Sequence, residues 1–401
     1  MLVAEKGSKH TSLVVMGTRP EIIKLGPVYR ELCRRPDVTV DAFWTGQHVE
    51  LADGLMDLFR IEPRYVGSDI MTQPDLSAKS ACLLSRLSEI LREEVYDSLV
   101  VQGDTLSAMI GAIAGFLTRI PVVHVEAGLR TFNLQSPWPE EFSRRLISVA
   151  SSLHCAPTQA ARANLLNEGV ADEDIIVSGN TVVDALQFVR GQLGAAYVPR
   201  CEAIRALPND KKLILVTGHR RENFGEPFRN VLAALQQLAR DPDKHIIFPV
   251  HLNPEVRRAV SVHLTEASSL QLVEPLQYPD FVYLLSRAWA VITDSGGIQE
   301  EAPSFDIPVV ITRSTTERPE VVEAGFGHLV GCNTEQIIKV VRRLTAGETP
   351  QRLARQNPFG TGHAAQKIVA TMIDGRTRWT HEDLPAERRR ASASVRVSNP
   401  Y

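Results

Sequence analysis

No apolar run in this 401-residue chain approaches the roughly 18 residues that a membrane-crossing helix requires. The opening stretch, MLVAEKGSKHTSLVVMG, has no apolar signal core with a cleavage site ahead of the first strand. Cysteine is sparse: the five residues (Cys33, Cys82, Cys155, Cys201, Cys332) are scattered, odd in number and never in CxxC spacing. Free thiols in a reducing cytoplasm are therefore expected, with neither disulfides nor a zinc site. Neither sign of charge dominates, and a formal net charge of −3 removes any electrostatic case for nonspecific nucleic-acid binding. No GxxxxGK[ST] phosphate loop is present, and no strand–helix turn carries a complete GxGxxG, so nicotinamide binding is unsupported. No His/Cys/Asp cluster has metal-ligand spacing, and no solenoid-period repeat is visible. No cofactor, metal, membrane or nucleic acid is expected.

What is present is a long alternation of short apolar runs and segments of helical period. SLVVMG (12–17), VDAFWTG (40–46), SLVVQGD (98–104) and PVVHVEA (121–127) read as buried parallel strands. Between them, EIIKLGPVYRELCRR and the segment from Ser77 to Glu94 have helical spacing. After the softer stretch GQLGAAYVPR (191–200) the pattern restarts with KLILVTGH, HIIFPVH, LQLVEP, AVITDSG and PVVIT. Such alternation predicts α/β architecture: two Rossmann-like, doubly wound domains with parallel sheets facing a central cleft. Residues 1–182 form the first expected domain, with a last helix near 364–375 packing back on it, and 183–363 form the second. The polar, basic, Ser-rich stretch 376–401 reads as a disordered tail.

The notable polar residues follow strands, where doubly wound folds place their ligands. GTRPEIIKL (17–25) offers a glycine turn, Pro20 at a helix start, and Arg19 and Lys24 within reach of the strand end. Three carboxylates stand out. Asp104 in QGDT serves either as the cap of a helix beginning near Leu106 or as an acid–base group. Glu126 in HVEAGLRT ends an apolar strand, where an idle carboxylate is costly to bury. Glu140 begins a helix beside Glu141, and one of the pair is explained by stabilisation of the helix dipole. His124 reads as a strand histidine rather than a ligand.

In the second half, VTGHRRENFGEPF (216–228) places His219, Arg220 and Arg221 after a strand, as donors to a diphosphate. TDSGGIQEEAPSF (293–305) sets Ser295, Gly296 and Gly297 at a helix start, suited to an anion, with a carboxylate, Glu301, a turn later. A nucleotide sugar answers to both, because its diphosphate suits the amides and its ribose diol suits Glu301. Phe281 is read as core or as a neighbour of the base, and Arg318 in TTERPE as available to the cleft.

Together these segments resemble the non-hydrolysing UDP-N-acetylglucosamine 2-epimerases, which have the GT-B fold. The likeness runs from about residue 12 to 375, with GTRPEIIKLGPV, QGDT, HVEAGLRT, SPWPEEFSRR, GNTVVDAL, TGHRRENFGEPF, FPVHLNP, TDSGGIQEEAPS and TTERPE in family order. The resemblance implies interconversion of UDP-GlcNAc and UDP-ManNAc by a homodimer. UDP is eliminated anti across carbons 1 and 2, leaving 2-acetamidoglucal, and is then re-added after protonation of the opposite face. The product would supply ManNAc units to polysaccharide or aminosugar biosynthesis. By motif position, Asp104, Glu126, Glu140 and His219 match the family's catalytic residues. Arg19, Lys24, Phe281, Ser295, Gly296, Gly297, Glu301 and Arg318 match its ligand-binding residues.

Rival readings are a hydrolysing 2-epimerase that releases ManNAc and UDP, a GT-B glycosyltransferase, and a nucleotide-sugar sensor. The intact GHRREN and FPVHLNP segments favour the non-hydrolysing group. One departure stands out. Many bacterial members bind a second, activating UDP-GlcNAc through a QHR-type segment and a downstream Arg–Gln or Gly–Gln pair. Here Gln47 and His48 are followed by Val49, and Pro74 and Asp75 occupy the downstream pair. Loss of that activation is expected.

Overall fold

The computed structural model describes residues 9–46, 54–194, 197–218, 220, 223–265, 268–347 and 356–374. His219, Arg221, Gln47, His48, Val49 and the stretch 376–401 lie outside the described residues. The chain divides into two compact units, 1–185 with 362–401, and 186–361.

The first unit is built on a seven-stranded sheet. Its strands are β1 (His10–Met16), β2 (Val38–Trp44), β3 (Tyr65–Val66), β4 (Ser98–Gln102), β5 (Val122–Val125), β6 (Leu153–Ala156) and β7 (Ile175–Val177). Every pairing is parallel and the spatial order is β3-β2-β1-β4-β5-β6-β7. Both faces of such a sheet are covered, which is why β4 and β5 are buried at every residue and read as unbroken apolar runs. Helix α1 (Arg19–Arg34) follows β1, capped by Thr18 and carrying Pro20 in its first turn. Helices α2 (Leu76–Glu93) and α3 (Leu106–Leu117) flank β4 in sequence, and α4 (Glu140–Ala150) precedes β6. Leu13, Val15, Leu83, Leu87, Leu99, Val101, Ile110 and Ile147 form the main core between sheet and helices. Helix α5 (Thr181–Leu193) then carries the chain from one unit into the other.

The second unit repeats the plan with β8 (Lys212–Thr217), β9 (Lys244–Pro249), β10 (Leu270–Val273), β11 (Ala290–Thr293), β12 (Val309–Ile311) and β13 (Gly327–Leu329). The order is β10-β9-β8-β11-β12-β13, again all parallel. Around it lie α6 (Glu226–Leu238), α7 (Tyr278–Arg287) and the short α8 (Gly296–Glu301). Residues Ile214, Val216, Leu232, Leu235, Ile246, Phe248, Val256 and Ile292 make its core. A last helix, α9 (Ala364–Ile373), returns to the first unit and packs on α1. Its first turn is tied down by Asp184 of α5, which accepts the Ala364 and Ala365 amides at 3.2 and 2.9 Å.

In both sheets the strand order reverses beside the first strand, between β1 and β4 and between β8 and β11. Those two reversal points are where a doubly wound sheet opens a crevice at its carboxyl edge. GTRPE and QGDT leave the first pair of strands; the GHRREN and DSGG segments leave the second.

Candidate active site

At the first reversal point two carboxylates sit in unlike surroundings. Glu126 follows β5 with φ of 65°, a left-handed conformation that costs a side-chain-bearing residue on the order of 1–3 kcal/mol. Its turn is completed by Gly128 at φ 88°, where a Cβ would stand 2.2 Å from the Ala161 carbonyl oxygen. The Glu126 side chain is buried, yet each oxygen has donors. Lys24 of α1 and Asn180 donate to Oε1, the latter at 3.1 Å, and Gln102 donates to Oε2. The carboxylate is thus paired, as a buried charge must be.

Asp104 is half-buried and does not cap α3, contrary to one of its two readings. Thr105 holds that place, its hydroxyl accepting from the Ala108 amide at 3.0 Å. Asp104 instead accepts from Arg144, whose Nε and Nη2 lie 2.8 and 2.7 Å from Oδ2. Arg144 also donates to Glu141 at 3.0 Å.

The neighbouring glutamates of α4 divide their work. Glu141 is fully buried and accepts the Thr131 and Phe132 amides at 3.0 Å each. Although burial alone would raise its pKa, those bonds and Arg144 hold it below the ordinary value. Glu141 therefore braces the loop ahead of α4. Glu140, by contrast, has a buried Oε2 with no hydrogen-bond partner among the described residues. An acceptor without a partner at this point suits a ligand's hydroxyl or a transferred proton.

Sequence reasoning missed several residues here. Gln102 and Asn180 lay inside quoted segments without a role, and the role of Arg144 is visible only once α4 is packed beside the β4–α3 turn. Glu21 is buried completely, and burial lifts its pKa to about 7 against the lowering effect of its hydrogen bonds. The T-x-x-E spacing of Thr18 and Glu21 was a readable capping signal.

In the second unit Asp294 is buried and accepts from the Arg220 amide at 3.0 Å and from Asn223 at 3.2 Å, joining the β8 and β11 turns. Ser295 caps α8 with no side-chain bond to the helix, its own amide donating to Thr293 Oγ1 at 2.9 Å. Glu301 is buried and receives the Tyr278 hydroxyl at 2.8 Å. Phe281, on α7, is also buried. The Nε of Arg318 donates to Glu300 at 2.6 Å, and Glu317 stands 3.6 Å from Nη1. Burial would raise the Glu317 pKa, but Arg313 and Arg318 bring it down to about 2. The guanidinium packs so closely on the α8 turn that a Cβ on Gly296 would be 2.4 Å from Nη1. Arg318 is therefore built against that turn, paired with the buried Glu300, while Glu317 is shared between it and Arg313.

Among the described residues no group of three or more His, Cys, Asp or Glu is arranged to hold a metal, and no helix is long and apolar enough to cross a membrane. The profile of the UDP-N-acetylglucosamine 2-epimerase family matches residues 30–373. The UDP-N-acetylglucosamine 2-epimerase of Escherichia coli strain K12 is 43% identical over 370 residues, covering 91% of this chain and 98% of that one. That of Campylobacter jejuni is 40% identical over 373 residues, covering 91% and 97%. The crystal structure of the Neisseria meningitidis UDP-GlcNAc 2-epimerase bound to UDP-GlcNAc is similar with a TM-score of 0.86 and 40% identity, covering 91% of this chain and 100% of that one. With two Rossmann-like sheets of GT-B type and this likeness along most of its length, the chain belongs to the UDP-N-acetylglucosamine 2-epimerase family.

Proposed function

We propose that the protein interconverts UDP-GlcNAc and UDP-ManNAc without releasing free ManNAc. UDP leaves carbon 1 as the carbon 2 proton is removed anti to it; the enzyme retains 2-acetamidoglucal and UDP; and UDP re-adds after protonation from the opposite face. The observation that carries this reading is the pair of carboxylates at the β1/β4 reversal point, one held by a guanidinium and the other by an ammonium and two amides. Inverting a carbon needs a group on each face, and two acids in different surroundings can hold different protonation states. Asp104 and Glu126 are assigned as the acid–base pair, with Glu140 in support and His219 on the diphosphate.

The nucleotide is assigned to the second unit. A Cβ on Gly297 would meet nothing closer than Ser295 Oγ at 4.0 Å, so packing does not demand glycine there. Close approach of a phosphate to the backbone does. Glu301, held by the Tyr278 hydroxyl, is assigned to accept from a ribose diol, with Phe281 and Arg318 assigned to the nucleotide; Arg19 and Lys24, in the first unit, are assigned to the substrate. The reading includes a homodimer. Phe142 and Val149, seven apart on α4, are exposed, Val149 by 85%, and sedimentation at micromolar concentration tests the assembly.

Incubation with UDP-GlcNAc in D₂O, followed by proton NMR, tests the chemistry. The expected result is UDP-ManNAc with deuterium at carbon 2 of both sugars. Free ManNAc would establish hydrolysis instead, and no exchange at carbon 2 would remove the epimerase reading.

A further inference from the structure

Glu21 is a fully buried carboxyl at the first reversal point to which this reaction assigns no role. Its Oε2 accepts from the Gly17 amide at 3.0 Å and the Thr18 hydroxyl at 2.7 Å. The Thr18 hydroxyl also lies 3.4 Å from the Glu21 amide, which completes a capping box at the start of α1. A capping box explains Oε2 but not Oε1, which accepts the Thr105 hydroxyl at 2.7 Å from a turn 84 residues away. Thr105 in turn caps α3 and directly follows Asp104. Beneath this contact the turns are packed without slack. A Cβ on Gly17 would lie 2.1 Å from Thr45 Oγ1 and 2.3 Å from Ser107 Oγ, and those two hydroxyls are bonded at 2.8 Å.

We propose that Glu21 is a positioning residue for the epimerisation: it locks the turn bearing Arg19 and Lys24 to the turn bearing Asp104 without touching the substrate. The inference rests on the proposed function. Through Lys24 the lock extends to Glu126, so both members of the acid–base pair are referred to one buried carboxyl. With a pKa lifted to about 7, the side chain can also hold the Thr105 contact as a neutral acid, its O–H then donating to the Thr105 hydroxyl, a reversal that an amide N–H can copy.

The test compares Glu21→Gln with Glu21→Asp, measuring kcat and KM for UDP-GlcNAc, the Kd for UDP, and Tm. Glutamine keeps the length, its oxygen accepting from Gly17 and Thr18 while its NH2 donates to the Thr105 hydroxyl in a reversed bond, and should hold kcat within about threefold. Aspartate remains a good residue for a helix's first turn but is one methylene too short to reach Thr105. It should lower kcat by about 10- to 100-fold, the scale of a small misplacement of reacting groups, and change the Kd for UDP far less. If Glu21→Asp fails to fold, Thr105→Ser and Thr105→Ala read the same lock from its other side, serine retaining turnover and alanine losing about tenfold or more. Full kcat in folded Glu21→Asp, or in Thr105→Ala, overturns the proposal. So does a Glu21→Gln loss as deep as that of aspartate, which would mean the charge itself takes part. Wild-type protein that does not interconvert the two sugars overturns the functional reading and this lock together, whereas active wild type beside an active aspartate variant overturns the lock alone.

Discussion

Asp104 and Glu126 illustrate how much a single side chain's neighbours decide. Asp104→Asn, Glu126→Gln and Glu140→Gln should each reduce turnover by about 100-fold or more, with UDP affinity changed far less. Near-normal turnover in any two of them would dissolve the catalytic assignment; initial rates and calorimetry with UDP give both quantities. For the nucleotide, Glu301→Ala should weaken UDP binding by about 1–3 kcal/mol, the scale of a charged hydrogen bond. Tyr278→Phe, which removes only the hydroxyl that orients Glu301, should have a smaller effect in the same direction. Arg318→Ala is a less clean probe. Besides weakening UDP, it removes the Nε donor from buried Glu300, and loss of one partner from a buried pair costs about 3–5 kcal/mol. Its Tm should fall where that of Tyr278→Phe does not.

At the scale of strands and helices, β5 and β6 bring His124 and His154 opposite one another in register. Burial lowers their pKa values to about 4 and about 3, from an ordinary 6.5. The folded state refuses protons that the unfolded chain accepts. The stability of the neutral rings is therefore complete above pH 6.5 and declines as pH falls towards 4, by about 2 kcal/mol per ring at pH 5. Glu21 acts in the opposite sense: its raised pKa makes the folded state the better proton binder between about 7 and 4.5, so acidification there stabilises. Tm measured from pH 7.5 to 5 should thus fall less steeply in His154→Gln than in wild type, and more steeply in Glu21→Gln. The strands themselves were legible, since parallel strands covered on both faces must be apolar throughout. The observed β1, β2, β4 and β5 begin or end within two residues of the predicted runs. Which strands become neighbours was not legible, because order is set by crossovers rather than by composition. For the same reason the motifs revealed Asp104 and Glu126 but not the Arg144, Gln102 and Asn180 contacts around them. Thr105 displaced Asp104 as the cap because both are good caps and only packing chooses between them.

For the whole molecule, Val49, Pro74 and Asp75, where the family's activating segment would carry other residues, lead us to propose that activation by a second UDP-GlcNAc is lost. Asp75 caps α2 by accepting from the Ala78 amide at 2.8 Å, so a helix start rather than a ligand accounts for this acid. An effector acts only through differential affinity, and a carboxylate beside the expected diphosphate opposes it. Initial rates should depend hyperbolically on the concentration of purified UDP-ManNAc and progress curves should be free of a lag; a lag abolished by trace UDP-GlcNAc would show that activation persists. A separate consequence follows from the route of the backbone. Because residues 186–361 form one unit and α9 rejoins the other, the second unit is spliced into the first as an insertion. On a ribosome, all seven strands of the first sheet emerge long before Ile368, Val369 and Met372 exist to cover α1. Until then Asp184 awaits the two amides it will cap. The nascent protein must complete its second half before its first half can close, and a chain stalled at residue 361 should be held by chaperones or cut by proteases along α1.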